Sequence, residues 1–519
     1  IIMNKKKKTL PLKLENTYKN SICENSYIGK KGYTISKNNL SKEDLAFLYK
    51  DLFVKPEVFG FQKNSAEANA FPMYRENDNK IYIPRFYGIQ RYGLPNRHNI
   101  STGSDIHVEF AKTLRDYQIH IVSVYLNHVK QQICNSTDSS FGNGGILEVP
   151  CGFGKTIMAL NIISILSKKT LIIVHKEFLM DQWIERIQEF LPSAKIGKIQ
   201  GSTFDIEDKD IVIGMIQTMY DRDYQSNAFD SFGFTIIDEV HRIGSEQFSK
   251  TLFKTITPYM LGISATVERK DKLTKILYMF IGEKIYSQER KDEDCVVVRT
   301  IEYKNRDTEF NQSEVDFKGN TKYSTMITKL CKFRPRSDFI VTVIDDLVNE
   351  LPDSQIMILS HNRSLLTYLY ESITAKQFAT VGYYVGGMKK ENLQETEKKQ
   401  IVLATYAMAA EALDIKTLSI LIMATPKTDI IQSVGRILRT KHEQPLIVDI
   451  LDTHDVFQNQ YTHRKRFYKK CNYKIIKCDS NQYNHTETDW ITVFDSKNKV
   501  KEEKPVMQCL IDTTLFKNV

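Results

Sequence analysis

Ile146-Leu147-Glu148-Val149-Pro150-Cys151-Gly152-Phe153-Gly154-Lys155-Thr156 is a short apolar run that breaks into a glycine-containing loop, and an apolar helical pattern follows it. Such a strand, loop and helix form a phosphate cradle. Glycines let backbone N–H groups wrap phosphate oxygens, and the helix start adds the positive end of its dipole. Pro150, Cys151, Gly152, Phe153 and Gly154 form the cradle, with Lys155 placed to reach the β- and γ-phosphates of ATP. The Thr156 hydroxyl is the expected ligand for Mg²⁺. Val149 stands where the strict pattern has another glycine. Gly29-Lys30 and Gly197-Lys198 also pair these residues, but neither is followed by Ser or Thr.

Downstream, Phe234-Thr235-Ile236-Ile237-Asp238-Glu239-Val240-His241 is a buried strand ending in two carboxylates. At the C-terminal edge of a parallel sheet these lie beside the phosphate loop. Asp238 then holds Mg²⁺ through its water shell, and Glu239 polarises the attacking water.

Around these two motifs, β-branched runs alternate with amphipathic segments: Ile146–Val149, Thr170–Val174, Ile211–Met215, Phe234–Ile237 and Met260–Ile263. The alternation recurs at Gln355–Leu359, Ala379–Val385, Ile401–Ala404, Ile420–Ala424 and Ile447–Ile450. Continuous apolar strands separated by helices mark parallel sheets covered on both faces. The expected fold class is α/β, with two tandem parallel-sheet lobes and an N-terminal accessory domain. The expected boundaries are 1–105 for the accessory domain, 106–288 for the ATP-binding lobe, 289–475 for the second lobe and 476–519 for a C-terminal extension. The charged stretch Ser287–Asp294 is the expected hinge.

The chain has 519 residues, 41% hydrophobic, 26% charged and 11% aromatic, which excludes a disordered, collagenous or disulfide-framework protein. The longest stretches without a charge or clear break are too short to span a bilayer: Ile157–Ser167 is about half of the roughly 20 residues required. No apolar signal segment opens the chain, and no membrane partner is expected. The net charge of +9 is compatible with a polyanion partner without specifying one. The eight cysteines include no Cys-x-x-Cys pair, so no structural zinc is expected. Lys5–Lys8 and Arg464–Lys470 are basic clusters that fit solvated surface or nucleic acid.

Phosphoryl transfer needs positive charge at the γ-phosphate. The second lobe has no Gly-Lys-Ser/Thr, but carries Gln432-Ser433-Val434-Gly435-Arg436-Ile437-Leu438-Arg439. On a helix, positions 432, 436 and 439 share one face. Arg436 and Arg439 are candidate arginine fingers acting across an interlobe cleft, with Gln432 helping to position water. Ser264 and Thr266 follow a strand and are candidates for relaying nucleotide state. Gln118 is placed to read the adenine edge or, alternatively, to start a helix.

Taken in order, Gln118, Gly-Lys-Thr, Asp-Glu-Val-His, Ser-Ala-Thr and Gln-x-x-x-Arg-x-x-Arg resemble a superfamily 2 helicase over residues 106–475. The resemblance implies two RecA-like lobes and ATP-driven duplex unwinding. The short phosphate loop with Pro150 is similar to the helicase version. Ser264–Asp271 is similar to the segment in XPB-type helicases, with Lys270 replacing the Glu of their Arg-Glu-Asp triplet. Gly32-Tyr33-Thr34-Ile35, Asp51-Leu52 with Lys55-Pro56, and Ile83-Pro84-Arg85-Phe86-Tyr87-Gly88 resemble helicases of large cytoplasmic DNA viruses. That group includes the poxvirus transcript-release helicase and asfarvirus and giant-virus relatives, and is related to phage branch-migrating helicases.

The resemblance implies DNA as partner, with RNA as the second option, and a setting in viral transcription or recombination and repair. Viral RNA polymerase or transcription factors are the implied protein partners, and the virion and host cytoplasm the implied location. Nucleic acid is expected across His175-Lys176, Gln217-Thr218, Ser360-His361-Asn362-Arg363 and Thr405, polar groups at strand ends suited to backbone phosphates. Asp414, after Ala412 where the family has glycine, is the implied ribose contact. A duplex translocase without strand separation, or a non-catalytic nucleic-acid-binding scaffold, are the competing readings.

Overall fold

A computed structural model describes residues 14–55, 70–130, 143–150, 152–240, 245–268, 273–288, 295–317, 319–411, 415–438, 442 and 444–496. The chain divides into two compact units, Ile1–Arg290 and Lys291–Val519, where the sequence suggested four segments.

The first unit is built on an eight-stranded sheet. Its spatial order is Thr203–Phe204, Ile196–Gln200, Ile211–Met215, Thr170–Val174, Phe234–Asp238, Tyr259–Ser264, Gly144–Glu148 and Lys284–Ser287. Only Thr203–Phe204 runs antiparallel to its neighbour. Strand side chains alternate between faces. Ile172, Val174, Ile213 and Ile236 therefore pack with helices Asp116–Lys130, Lys155–Leu166 and Glu177–Phe190. Leu171, Ile173, Val212 and Ile237 join the opposite core.

That opposite core reaches into the N-terminal region. Strands Tyr27–Gly29, Gly32–Ser36, Lys80–Ile83 and Arg75–Glu76 form an antiparallel sheet whose Ile28, Tyr33, Ile35, Ile81 and Ile83 belong to the same apolar cluster as Phe248, Phe253 and Phe280. Buried Arg85 donates to the carbonyls of Thr257 (3.1 Å) and Pro258 (3.0 Å). A Cβ on Gly88 would lie 2.2 Å from Cγ of Tyr33, so glycine there lets the two virus-helicase-like segments touch. The described residues between 14 and 105 thus pack in a cluster that is continuous with one core of the first unit.

The second unit repeats the architecture. Its order is Val381–Tyr384, Ile401–Thr405, Gln355–Ser360, Leu418–Met423, Leu446–Asp452, Val297–Tyr303, Lys474–Asp479 and Ile491–Phe494, with only the last antiparallel. Strand Val297–Tyr303 escapes a search for continuous apolar runs because charges interrupt it. Arg299 pairs with Glu350 at its flank, and Glu302 pairs with Lys477 on the next strand. Strand Lys474–Asp479 crosses the boundary expected at 475, and residues to Phe494 complete the second sheet. Two parallel, helix-covered sheets in tandem are RecA-like lobes.

Under the second sheet, Arg336 and Asp452 form a bidentate pair at 2.6 and 2.8 Å with both side chains fully buried. Arg336→Ala strands a carboxylate in an apolar core, so unfolding should become easier by about 3–5 kcal/mol. Denaturant titration of the variant against the parent measures this, and an unchanged midpoint would contradict it.

Candidate functional site

Three neighbouring parallel strands, Gly144–Glu148, Tyr259–Ser264 and Phe234–Asp238, end at the same sheet edge. Their order brings the phosphate loop, Ser264–Thr266 and Asp238-Glu239 side by side. Gly152 (φ 85°) and Gly154 (φ 77°) adopt left-handed backbone that L side chains avoid, and helix Lys155–Leu166 begins directly after them. Pro150 and Phe153 complete the described loop, while Cys151 lies outside the described residues.

Gln118 braces this loop. Its Nε2 donates to the Phe153 carbonyl (3.0 Å), and its Oε1 accepts from the Arg115 N–H (3.0 Å). A Cβ on Gly154 would sit 2.4 Å from Gln118 Nε2, so a side chain there would displace the Gln118 amide as well as strain the backbone. The amide expected to face adenine is buried, with both ends engaged by backbone, so reading a base with it requires these bonds to be exchanged. The Tyr117 and Phe153 rings meet edge-on at 5.5 Å. Beside them opens a cavity of about 600 Å³ lined by Thr113, Arg115, Tyr117, Gln118, Gly152 and Phe190.

Lys155 Nζ lies 3.7 Å from Glu239 Oε1. Ser264 Oγ approaches Glu239 Oε2 at 3.5 Å and donates to the Thr266 carbonyl at 2.6 Å. The phosphate, acidic and Ser-Ala-Thr motifs are therefore linked through Glu239, whose own backbone is left-handed (φ 49°). Asp238 is buried, and each carboxylate oxygen has a fixed donor. Trp183 Nε1 donates to Oδ2 at 2.9 Å and the Glu239 N–H to Oδ1 at 2.8 Å. Burial, followed by the neighbouring Glu239 charge, pushes the Asp238 carboxyl up to about 6, against the opposing effects of Trp183 and Lys155.

Two carboxylates facing one ammonium leave excess negative charge, and the oxygens of Thr156 and Asp238 are hard donors. This set suits Mg²⁺, which takes one or two protein oxygens and completes its shell from phosphate and water. Trp183 was not among the residues expected to serve this site. Nothing in its sequence context distinguishes it from an ordinary apolar position on helix Glu177–Phe190.

The nucleic-acid candidates of the first unit come together because strands Thr170–Val174 and Ile211–Met215 are neighbours. Gln217 Nε2 donates to the His175 carbonyl (3.0 Å), Lys176 is the N-cap of helix Glu177–Phe190, and Thr218 Oγ1 accepts from the Gly201 N–H (3.0 Å). In the second unit, Arg363 is exposed and donates to the Gly386 carbonyl, and Thr405 closes its strand half-buried. Ser360 departs from the expected nucleic-acid contact. It is fully buried and its hydroxyl donates to the Asn362 carbonyl (3.0 Å), so it shapes the loop rather than facing a ligand.

Sequence reasoning missed Thr425 and Lys427 at the same edge. Thr425 Oγ1 meets His361 Nδ1 at 2.8 Å, and Lys427 Nζ lies 4.6 Å above the Tyr406 ring. Burial, with a smaller push from Lys427, lowers the His361 pKa to about 4, so the ring is neutral at neutral pH.

Helix Ile431–Ile437 carries Gln432, which is half-buried, and Arg436. Arg436 is buried and its Nε donates to the Ala409 carbonyl at 2.7 Å. The helix closes before position 439, with Leu438 as its C-cap. Arg439, Asp414, His241, Ala412 and the segment Arg269-Lys270-Asp271 lie outside the described residues.

Among known proteins, the chain is 34% identical over 461 residues to a protein of Acanthamoeba polyphaga mimivirus provisionally named ATP-dependent RNA helicase L396, covering 86% of this chain and 85% of that one. The chain belongs to the superfamily 2 helicases of large DNA viruses. It is accordingly an ATP-hydrolysing helicase. The family described as type III restriction enzyme, res subunit, matches residues 111–269. A protein of African swine fever virus (isolate Tick/South Africa/Pretoriuskop Pr4/1996), provisionally named ATP-dependent RNA helicase QP509L, is 27% identical over 387 residues, 68% of this chain and 73% of that one. The DNA 3'-5' translocase XPB2 of Sulfurisphaera tokodaii is 33% identical over 175 residues, 33% of this chain and 35% of that one. No helix among the described residues is long and apolar enough to cross a membrane.

Proposed function

We propose that this helicase is an ATP- and Mg²⁺-dependent motor that moves on and unwinds duplex DNA, in viral transcription or in recombination and repair. The observation that carries the ATPase is the link from Lys155 through Glu239 to Ser264 and Thr266 within one unit. The cavity beside Tyr117 and Gln118 takes the base, and the loop from Pro150 to Gly154 cradles the phosphates. Thr156 and Asp238 hold Mg²⁺, which when bound neutralises charge on the β- and γ-phosphate oxygens. Lys155 reaches the same oxygens. Glu239 accepts a proton from the attacking water.

Arg436 and Arg439 of the second unit supply positive charge to the γ-phosphate, with Gln432 positioning water and Asp414 on the ribose. Ser264 and Thr266 transmit the nucleotide state. His175, Lys176, Gln217, Thr218, Arg363 and Thr405 grip the nucleic-acid backbone, a sequence-independent hold that a stepping motor requires. DNA is favoured by the XPB-like Ser264–Asp271 segment and the relative named a DNA translocase. The names of the viral relatives favour RNA.

The test is ATPase stimulation and strand separation on 3′-tailed, 5′-tailed and forked DNA and RNA duplexes. Stimulation by DNA with separation of its strands is the expected result. Stimulation by RNA alone would overturn the DNA assignment, and stimulation by neither would overturn the motor. Triplex displacement without duplex separation would favour a translocase.

A further inference from the structure

Trp183 is 2% exposed and sits on helix Glu177–Phe190, with Met180, Ile187 and Phe190 on the same buried side. An indole N–H only donates, and when buried it must find an acceptor. Here the acceptor is the carboxylate of Asp238, brought within reach because strands Thr170–Val174 and Phe234–Asp238 are neighbours and the helix follows the first of them. The Glu239 N–H holds the other oxygen. Two donors on opposite oxygens fix the plane of the carboxylate, and each oxygen keeps a lone pair for a metal-bound water. The backbone donor comes with the strand end, whereas the indole is a replaceable side chain. Phenylalanine would fill most of the space and lose the donor.

We propose that Trp183 is a positioning residue for Mg²⁺ binding: its indole N–H locks Asp238 in the orientation that receives the ion. This rests on the assignment of Asp238 to the metal. Outer-shell hydrogen bonds of this kind orient metal ligands, and their loss typically lowers metal affinity or activity about 10–100-fold.

The experiment is calorimetric titration of the full chain with ADP, with and without Mg²⁺, for the parent, Trp183→Phe, Asp238→Asn and the double variant. Trp183→Phe should reduce the Mg²⁺-dependent gain in ADP affinity about tenfold or more, while metal-free ADP binding stays unchanged. In the Asp238→Asn background the same change should have no further effect on that gain. An undiminished gain in Trp183→Phe overturns the proposal, as does an equal loss of metal-free binding, which would indicate general structural damage. If Asp238→Asn alone keeps the full gain, the metal assignment itself fails.

A second measurement covers a variant that does not fold. The chain has two tryptophans, so Trp490→Phe leaves Trp183 as the sole indole. Its emission should change when Mg²⁺ is added to the ADP complex, and no longer do so once Asp238 is replaced by Asn. A silent indole in the Asp238 protein overturns the proposal.

Discussion

Glu239→Gln should lower ATPase turnover by about 10²–10⁴-fold while ATP affinity stays near that of the parent, because a positioned general base is lost and nothing else of similar size changes. Gln is nearly isosteric and uncharged. The left-handed backbone at 239, a conformation costing roughly 1–3 kcal/mol for a non-glycine residue, is as strained with Gln as with Glu. Stability is therefore expected to stay level. Lys155 loses an acidic neighbour at 3.7 Å and keeps its charge for phosphate, which favours retained binding. Steady-state kinetics with a separate nucleotide-binding titration check both halves. Turnover within a few-fold of the parent would remove Glu239 from the hydrolytic role.

Lys155→Ala should fail differently. Removing the ammonium takes away charge that acts on phosphate in the bound state and in the transition state, so kcat should fall about 10²–10³-fold and KM should rise as well. The deletion also leaves Asp238 and Glu239 facing each other without the cation that lowers the Asp238 carboxyl's pKa. The two variants together should cost less than the sum of their separate effects, since residues acting as a unit are not additive. Full activity in Lys155→Ala would dismantle the whole assignment.

Both residues stand out as candidates in the sequence because their motifs carry chemistry in a fixed order along the chain. Strands such as Thr170–Val174 and Ile401–Thr405 were legible for a different reason: burial on both faces demands unbroken apolar runs. Val297–Tyr303 and Ile196–Gln200 were not, since exposed positions such as Lys198 interrupt the pattern and neighbouring elements supply the missing cover. Individual side-chain directions were harder still. Gln118 and Ser360 have the right chemistry to meet a ligand, yet one braces the phosphate loop and the other turns into its own backbone. Trp183 shows the limit most clearly. Hydrophobic spacing predicts that it is inside, but only the registry of helix on sheet reveals that its N–H meets a carboxylate.

The apolar cluster shared by the N-terminal sheet and Phe248, Phe253 and Phe280 has a consequence for biosynthesis. At a ribosomal pace of about 5–20 residues per second, some 10–40 s separate the emergence of residue 100 from that of residue 281. Throughout that interval the side of this cluster that packs against Phe248, Phe253 and Phe280 has no cover. Nascent chains of this helicase should therefore be chaperone clients until the first lobe is finished, and a stall in translation between those points would leave a sticky intermediate.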